Sequence, residues 1–126
     1  MHYLLKTEPT AYSFADLVRE KETDWTGVTN PQAVKNLNGM KKGDKLVIYH
    51  TGDEKAAVGL AQVKAVDFSD PKVPLVRIAA GPAIKRHKTL AEIKQQSLFE
   101  VSPLVRQSRL SVVPLDEAQY DWIVHN

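Results

Sequence analysis

Two apolar runs constrain this sequence most: KLVIYHT at residues 45–51 and AAVGLAQVKAVD at residues 56–67, separated only by the polar stretch 52–55. Both are rich in Val, Ile and small apolar residues, and the stretch between them opens on Gly52, so together they predict a β-hairpin. Further strands are predicted at 3–6, closed by Glu8-Pro9, at 75–80 after a loop over 69–74, and at 109–113. Caps mark short helices between them. Ser13 stands before a segment with Asp16 at the third helical position and Phe14, Leu17 and Val18 on one face, ended by the acidic cluster Glu20, Glu22 and Asp24. Asn30 is a good N-cap, Pro31 suits the first helical position, and Ala33, Val34 and Leu37 share a face until Gly39 terminates the helix. Thr89 with Glu92 forms a capping box before Leu90 and Ile93, directly after the basic segment 85–88. Asp116 with Gln119 caps a last helix carrying Tyr120, Ile123 and Val124.

Strands in hairpin order with interspersed short helices imply an α+β fold: a strongly bent sheet or small barrel, without alternating βαβ units. Neither a G-x-G-x-x-G nor a G-x-x-x-x-G-K-[ST] phosphate loop is present, so no nucleotide cofactor is expected. At 126 residues the chain is the size of one compact domain, expected over 1–126 as a monomer. The absence of cysteine removes disulfides, thiol catalysis and Cys-based zinc sites. His2, His50, His87 and His125 form no H-E-x-x-H or i, i+4 pair, so no metal is expected. The beginning MHYLLKTEP meets charges and a proline too soon for a signal peptide, and no apolar run spans a bilayer; a cytoplasmic protein without membrane contact is expected. Net charge is +2, but residues 34–109 hold 14 Lys and Arg against 7 Asp and Glu. That basic middle attracts nucleic acid if folding gathers it on one face, and is an ordinary solvated surface if not.

Three places carry candidate chemistry. In DWTGVTN, residues 24–30, Trp25 either plugs the core or lines a pocket, while N–H groups at the following helix start are free to meet a ligand acceptor. Lys6, Thr7 and Glu8 are a polar triple at a strand end, either a surface turn or a set that meets a ligand edge. His50, between Tyr49 and Thr51, can hydrogen-bond a base edge, shuttle a proton, or simply cap the turn. There is no G-x-S-x-G elbow, and Lys6, Glu8, Tyr49 and His50 have no spacing that defines a nuclease.

Taken in order, YLLKTEP, YSFADL, DWTGVTN, KKGD, LVIYHT, VGLAQV and RLSVVPL resemble the EVE domain of the PUA-like superfamily, over residues 3–123. The resemblance implies a bent mixed sheet or pseudo-barrel with flanking short helices, and a pocket for a modified base flipped out of DNA or RNA. It implies base contacts from Lys6, Thr7, Glu8, Trp25, Val28, Thr29, Asn30, Tyr49, His50 and Thr51, with Lys35, Arg109 and Ser111 behind them or on phosphates. It also implies a nuclease partner in bacterial relatives. The related ASCH branch supplies the alternative of a metal-independent ribonuclease using His50 or Lys6 with Tyr49; a small-molecule or protein-binding module on the same fold is a third. The chain departs from the family pattern at Tyr3, Thr29, Pro31, the helix around Ala33, Val34 and Lys35, and the strand around Leu75 and Val76, where members carry aromatic or basic residues. One missing stacking wall is worth about 1–3 kcal/mol of base affinity.

Overall fold

The computed structural model describes residues 1–125. Along the chain run β1 (His2–Thr7), α1 (Phe14–Glu20), β2 (Glu22–Trp25), α2 (Pro31–Asn38), β3 (Lys45–His50), β4 (Ala56–Asp67), β5 (Leu75–Thr89), α3 (Leu90–Lys94), a 3-10 turn (Ser97–Phe99), α4 (Pro103–Arg106), β6 (Val112–Leu115) and α5 (Glu117–His125). All six strands join one sheet in the order β2-β5-β4-β3-β1-β6. The hairpin of β3 and β4 forms as expected, with Lys45 opposite Gln62 and His50 opposite Ala56.

One pairing overturns the expectation of hairpin order alone. β1 runs parallel to β3, Leu4 beside Val47 and Thr7 beside His50, so the segment holding α1, β2 and α2 is a crossover. That pairing places the ends of both strands on one edge of the molecule. Their middles, Leu4, Leu5, Val47 and Ile48, are buried, as parallel strands require.

β4 and β5 bend the sheet. Their register shifts around Gly59 and again between Val63 and Ala65, and each bulge turns the strands. Gly59 lies under the Phe14 ring, so closely that a Cβ there would overlap it. The same residue anchors α1 from its backbone: the Phe14 N–H donates to His50 Nε2 at 3.0 Å. Asn36 ties α2 to β6, its amide donating to the Val112 carbonyl at 2.8 Å.

Three expected boundaries move. The acidic cluster does not end the first helix; Lys21, at φ 71°, does, and Glu22–Trp25 then pairs with β5 as an edge strand. The basic segment 85–88 lies inside β5, which continues to Thr89 because its stretch after the bulge pairs with the start of β4. Finally, β6 begins at Val112, leaving Arg109, Leu110 and Ser111 in the loop before it. A short helix not expected above, α4, is a single turn capped by Ser102 and begun by Pro103.

Candidate functional site

A cleft of about 390 Å³ opens where β1 and β2 end. Lys6, Thr7 and Glu8 line one side, the loop from Trp25 to Asn30 a second, and Arg109 and Ser111 a third. The sheet order explains the gathering: β6 flanks β1, and the Lys6 N–H donates to the Ser111 carbonyl at 2.9 Å.

The polar triple is largely held by its own surroundings. Thr7 Oγ1 donates to the Tyr12 carbonyl at 2.6 Å. The Glu8 carboxylate accepts from the Thr10 hydroxyl at 3.1 Å and the Thr51 hydroxyl at 3.3 Å. Lys6 Nζ donates to the Ser108 carbonyl at 3.0 Å and stands 5.8 Å from the Tyr49 ring centre, and burial lowers the ammonium below its ordinary pKa. Arg109 is different. It is exposed, and among the described residues its guanidinium has no carboxylate or hydrogen-bond partner.

Trp25 serves both purposes that the sequence left open. It is only 8% exposed, in register with Val76, with the Tyr12 ring edge-on at 6.2 Å and 78°. Its remaining surface forms the cleft wall. Beyond it, Gly27 turns the chain at φ 81°, a conformation that favours glycine. The N–H groups of Gly27, Val28 and Thr29 make no hydrogen bond within the described residues, which leaves three donors beside the wall. Asn30 caps α2 as expected, its Oδ1 accepting from the Gln32 and Ala33 N–H groups, which leaves only its amide nitrogen for a ligand.

Four expected contacts do not line the cleft. His50 is 9% exposed and turned inward. Because Nε2 accepts from Phe14, the proton sits on Nδ1, which donates to Glu54 Oε1 at 2.6 Å. Tyr49 is buried beside Lys6, and burial pushes its hydroxyl up to about 12. Thr51 contributes through Glu8, and Lys35 lies on the exposed side of α2. Of the three residues named for a ribonuclease, Lys6 alone lines the cleft, and both ring nitrogens of His50 are bonded within the protein. Leu75 borders a nook of about 40 Å³ behind the 26–28 loop rather than the cleft.

A second chamber of about 250 Å³ adjoins the cleft and shares Thr7, Trp25 and Thr26 with it. Tyr12, Thr23 and Asp24 complete its walls. Sequence reasoning missed it because Thr23 belongs to the unforeseen strand β2, where alternation puts it on the same face as Trp25. Among the described residues no group of three His, Asp or Glu side chains could hold a metal ion, and no helix is long and apolar enough to cross a membrane.

Comparison with known proteins fits this geometry. The sequence model of the EVE domain matches residues 1–126. No curated protein matches the chain. Among solved structures, protein Atu2648 from Agrobacterium tumefaciens is 32% identical at a TM-score of 0.89, over 98% of this chain and 90% of that one. The human THYN1 protein, solved in complex with DNA containing 5-methylcytosine, is 25% identical at a TM-score of 0.86, over 98% and 95%. An ASCH protein from Zymomonas mobilis is 12% identical at a TM-score of 0.59, over 98% and 96%, and shares the fold alone. With a bent six-stranded sheet of the PUA-like kind and a family match along its whole length, the chain belongs to the EVE domain family.

Proposed function

We propose that this protein is a non-catalytic reader of a modified base, most directly a modified cytosine in DNA. The observation that carries the reading is the cleft itself: one indole wall, three open backbone donors at Gly27, Val28 and Thr29, and one unpartnered guanidinium at Arg109. An aromatic wall stacks on any base, fixed donors select among base edges, and an exposed cation holds a phosphate. The THYN1 complex supports DNA as the polymer, because a relative of the same fold was captured with a methylated cytosine. A modified RNA base fits the same chemistry, so RNA belongs in the test.

The test is a calorimetric titration with DNA and RNA oligonucleotides, modified and unmodified, at two salt concentrations. Wild type is expected to favour a modified strand. Trp25→Ala is a poor probe, since truncating a buried Trp costs about 3–5 kcal/mol of stability. Trp25→Phe keeps an aromatic wall of smaller area, and is expected to weaken modified-base binding several-fold while the protein stays folded. Arg109→Gln is expected to weaken all strands about equally and to reduce the salt slope by about 1. Equal affinity for modified and unmodified strands, in DNA and RNA alike, would sink the proposal.

A further inference from the structure

We infer that His50 is a proton-operated latch: a proton taken up at Nε2 releases the start of α1, and with it the side of the cleft that Tyr12 supports. The latch stands apart from what the cleft holds, whereas its effect on affinity rests on the base-reader proposal.

Hydrogen-bond polarity is the first reason. A neutral imidazole has one donor and one acceptor, and His50 uses both: Nδ1–H donates to Glu54 Oε1 at 2.6 Å, and Nε2 accepts from the Phe14 N–H at 3.0 Å. Phe14 is the first residue of α1, so this N–H is one of the four that a helix start cannot satisfy internally. A second proton on the ring goes to Nε2 and sets a donor against a donor. The Nδ1 contact gains at the same time, because an imidazolium then faces the Glu54 carboxylate. Proton uptake therefore holds the ring on Glu54 and expels the Phe14 N–H. With only 9% of the residue exposed, solvent does not readily take the place of either partner.

A chain of contacts to the cleft is the second reason. Thr7 is the register partner of His50, and the Thr51 N–H donates to the Thr7 carbonyl at 2.9 Å. Two residues before Phe14, the Tyr12 carbonyl accepts from Thr7 Oγ1 at 2.6 Å, and the Tyr12 ring stands edge-on to Trp25 at 6.2 Å. Both Thr7 and Trp25 line the cleft. Displacing the chain at Phe14 thus pulls on one wall residue through a hydrogen bond and on the other through a ring contact.

The other charged groups on the surrounding elements are committed elsewhere or lie in solvent. On β1, Glu8 is engaged by Thr10 and Thr51, and Lys6 by the Ser108 carbonyl. On α1, Asp16 accepts from the Ser13 N–H and pairs with Arg19. Asp53 and Lys55, in the turn after β3, are exposed. On β5, Lys88 donates to the Arg86 carbonyl, and His87 Nδ1 stands 3.7 Å from Glu54 Oε2. His87 titrates in the ordinary histidine range and shares the carboxylate with His50, so it needs its own control.

The experiment is NMR on isotope-labelled protein from about pH 8 to about pH 5, the range in which histidines change charge. It reads the His50 ring nitrogens, the exchange protection factor of the Phe14 amide and the Trp25 indole signal. Expected are the Nδ1–H tautomer at the upper end and, with the midpoint of ring protonation, a shift of the indole signal and a fall in Phe14 protection of about tenfold. A duplex carrying 5-methylcytosine is expected to bind about tenfold more weakly at the lower end. His50→Gln offers an acceptor to Phe14 and a donor to Glu54 without titrating, and should flatten both responses. Glu54→Gln removes the carboxylate that favours the imidazolium and should move the midpoint to lower pH, whereas the Phe14 response should survive in His87→Gln. Phe14 protection that stays constant across the range, or a fall that persists in His50→Gln, overturns the latch. Opening with no change in affinity overturns its link to the cleft. If Phe14 opens with His50 but no strand binds at either pH, the base-reader proposal falls and the latch stands.

Discussion

Gly59 is the residue where the fold is least tolerant, and its partner lies far away in sequence. The Phe14 ring rests against it, and the Phe14 N–H donates to His50, so one residue of α1 is fixed to two strands at once. Any Cβ at Gly59 must push the ring outward and stretch that hydrogen bond. Gly59→Ala is therefore expected to cost about 2–3 kcal/mol, the upper range for overpacking a close-packed core, measured by denaturant titration. Phe14→Leu removes the ring from that spot. If the contact is the cause, the double variant loses clearly less than the sum of the singles, whereas additive losses would place the defect elsewhere in β4. The same geometry accounts for His50, whose place beside Tyr49 and Thr51 made it a candidate for ligand contact. Which way a strand-end side chain turns depends on what packs over it, and α1 is invisible from the local sequence around residue 50.

At the scale of elements, the cap signals were the most legible feature. The pairs Ser13 with Asp16, Thr89 with Glu92 and Asp116 with Gln119 all form the reciprocal bonds that their spacing predicts. Local chemistry decides a cap, so local sequence suffices. β2 was not legible for the opposite reason: Glu22 and Asp24 look like the acidic end of a helix, and only the presence of Arg77 on β5, 3.1 Å from Glu22 and 3.0 Å from Asp24, shows them to be the outer face of a strand. In the cleft, the segments 6–8 and 25–30 could be named from motif order, but the chamber behind Trp25 requires β2 to exist. The reversal that creates β2 is strained. Lys21 adopts φ 71° and ψ −41°, near the rare γ-turn region, with its N–H donating to the Leu17 carbonyl at 2.7 Å. Glycine meets this conformation without steric penalty, so Lys21→Gly is expected to stabilise the protein by about 0.5–1 kcal/mol and raise Tm by a few degrees. A lower Tm would mean that the Lys21 side chain supplies packing that outweighs the backbone strain.

For the whole molecule, the question is where the basic middle of the chain ends up. Much of it is not a free cationic face: Lys64 and Arg77 pair with Glu22, Arg86 pairs with Glu92, and Lys88 is wholly buried. Lys88 is the extreme case. Its ammonium donates to the Arg86 carbonyl at 2.8 Å and stands 5.9 Å from the Trp122 ring centre, and among the described residues no carboxylate is bonded to it. Burial, reinforced by the Arg86 charge and only partly opposed by Glu92, lowers its pKa from 10.5. Between that lowered value and 10.5 the unfolded chain binds more protons than the folded one, so this group makes stability rise with pH across the window. Below the window both states are protonated, and the cost of the buried charge is at its full value. Lys88→Met keeps the length of the side chain and removes the charge. It is expected to be more stable than wild type by about 1 kcal/mol at neutral pH, in line with other replacements of buried ions by apolar groups. The difference should narrow as the pH rises toward 10.5, because folded wild-type Lys88 gives up its proton before the unfolded chain does and the variant has none to lose. Denaturant titrations of both proteins at the two pH values check this directly: a gap that stays constant would show that the ammonium is solvated or compensated in solution, and that the contact with Trp122 offsets the cost of burial.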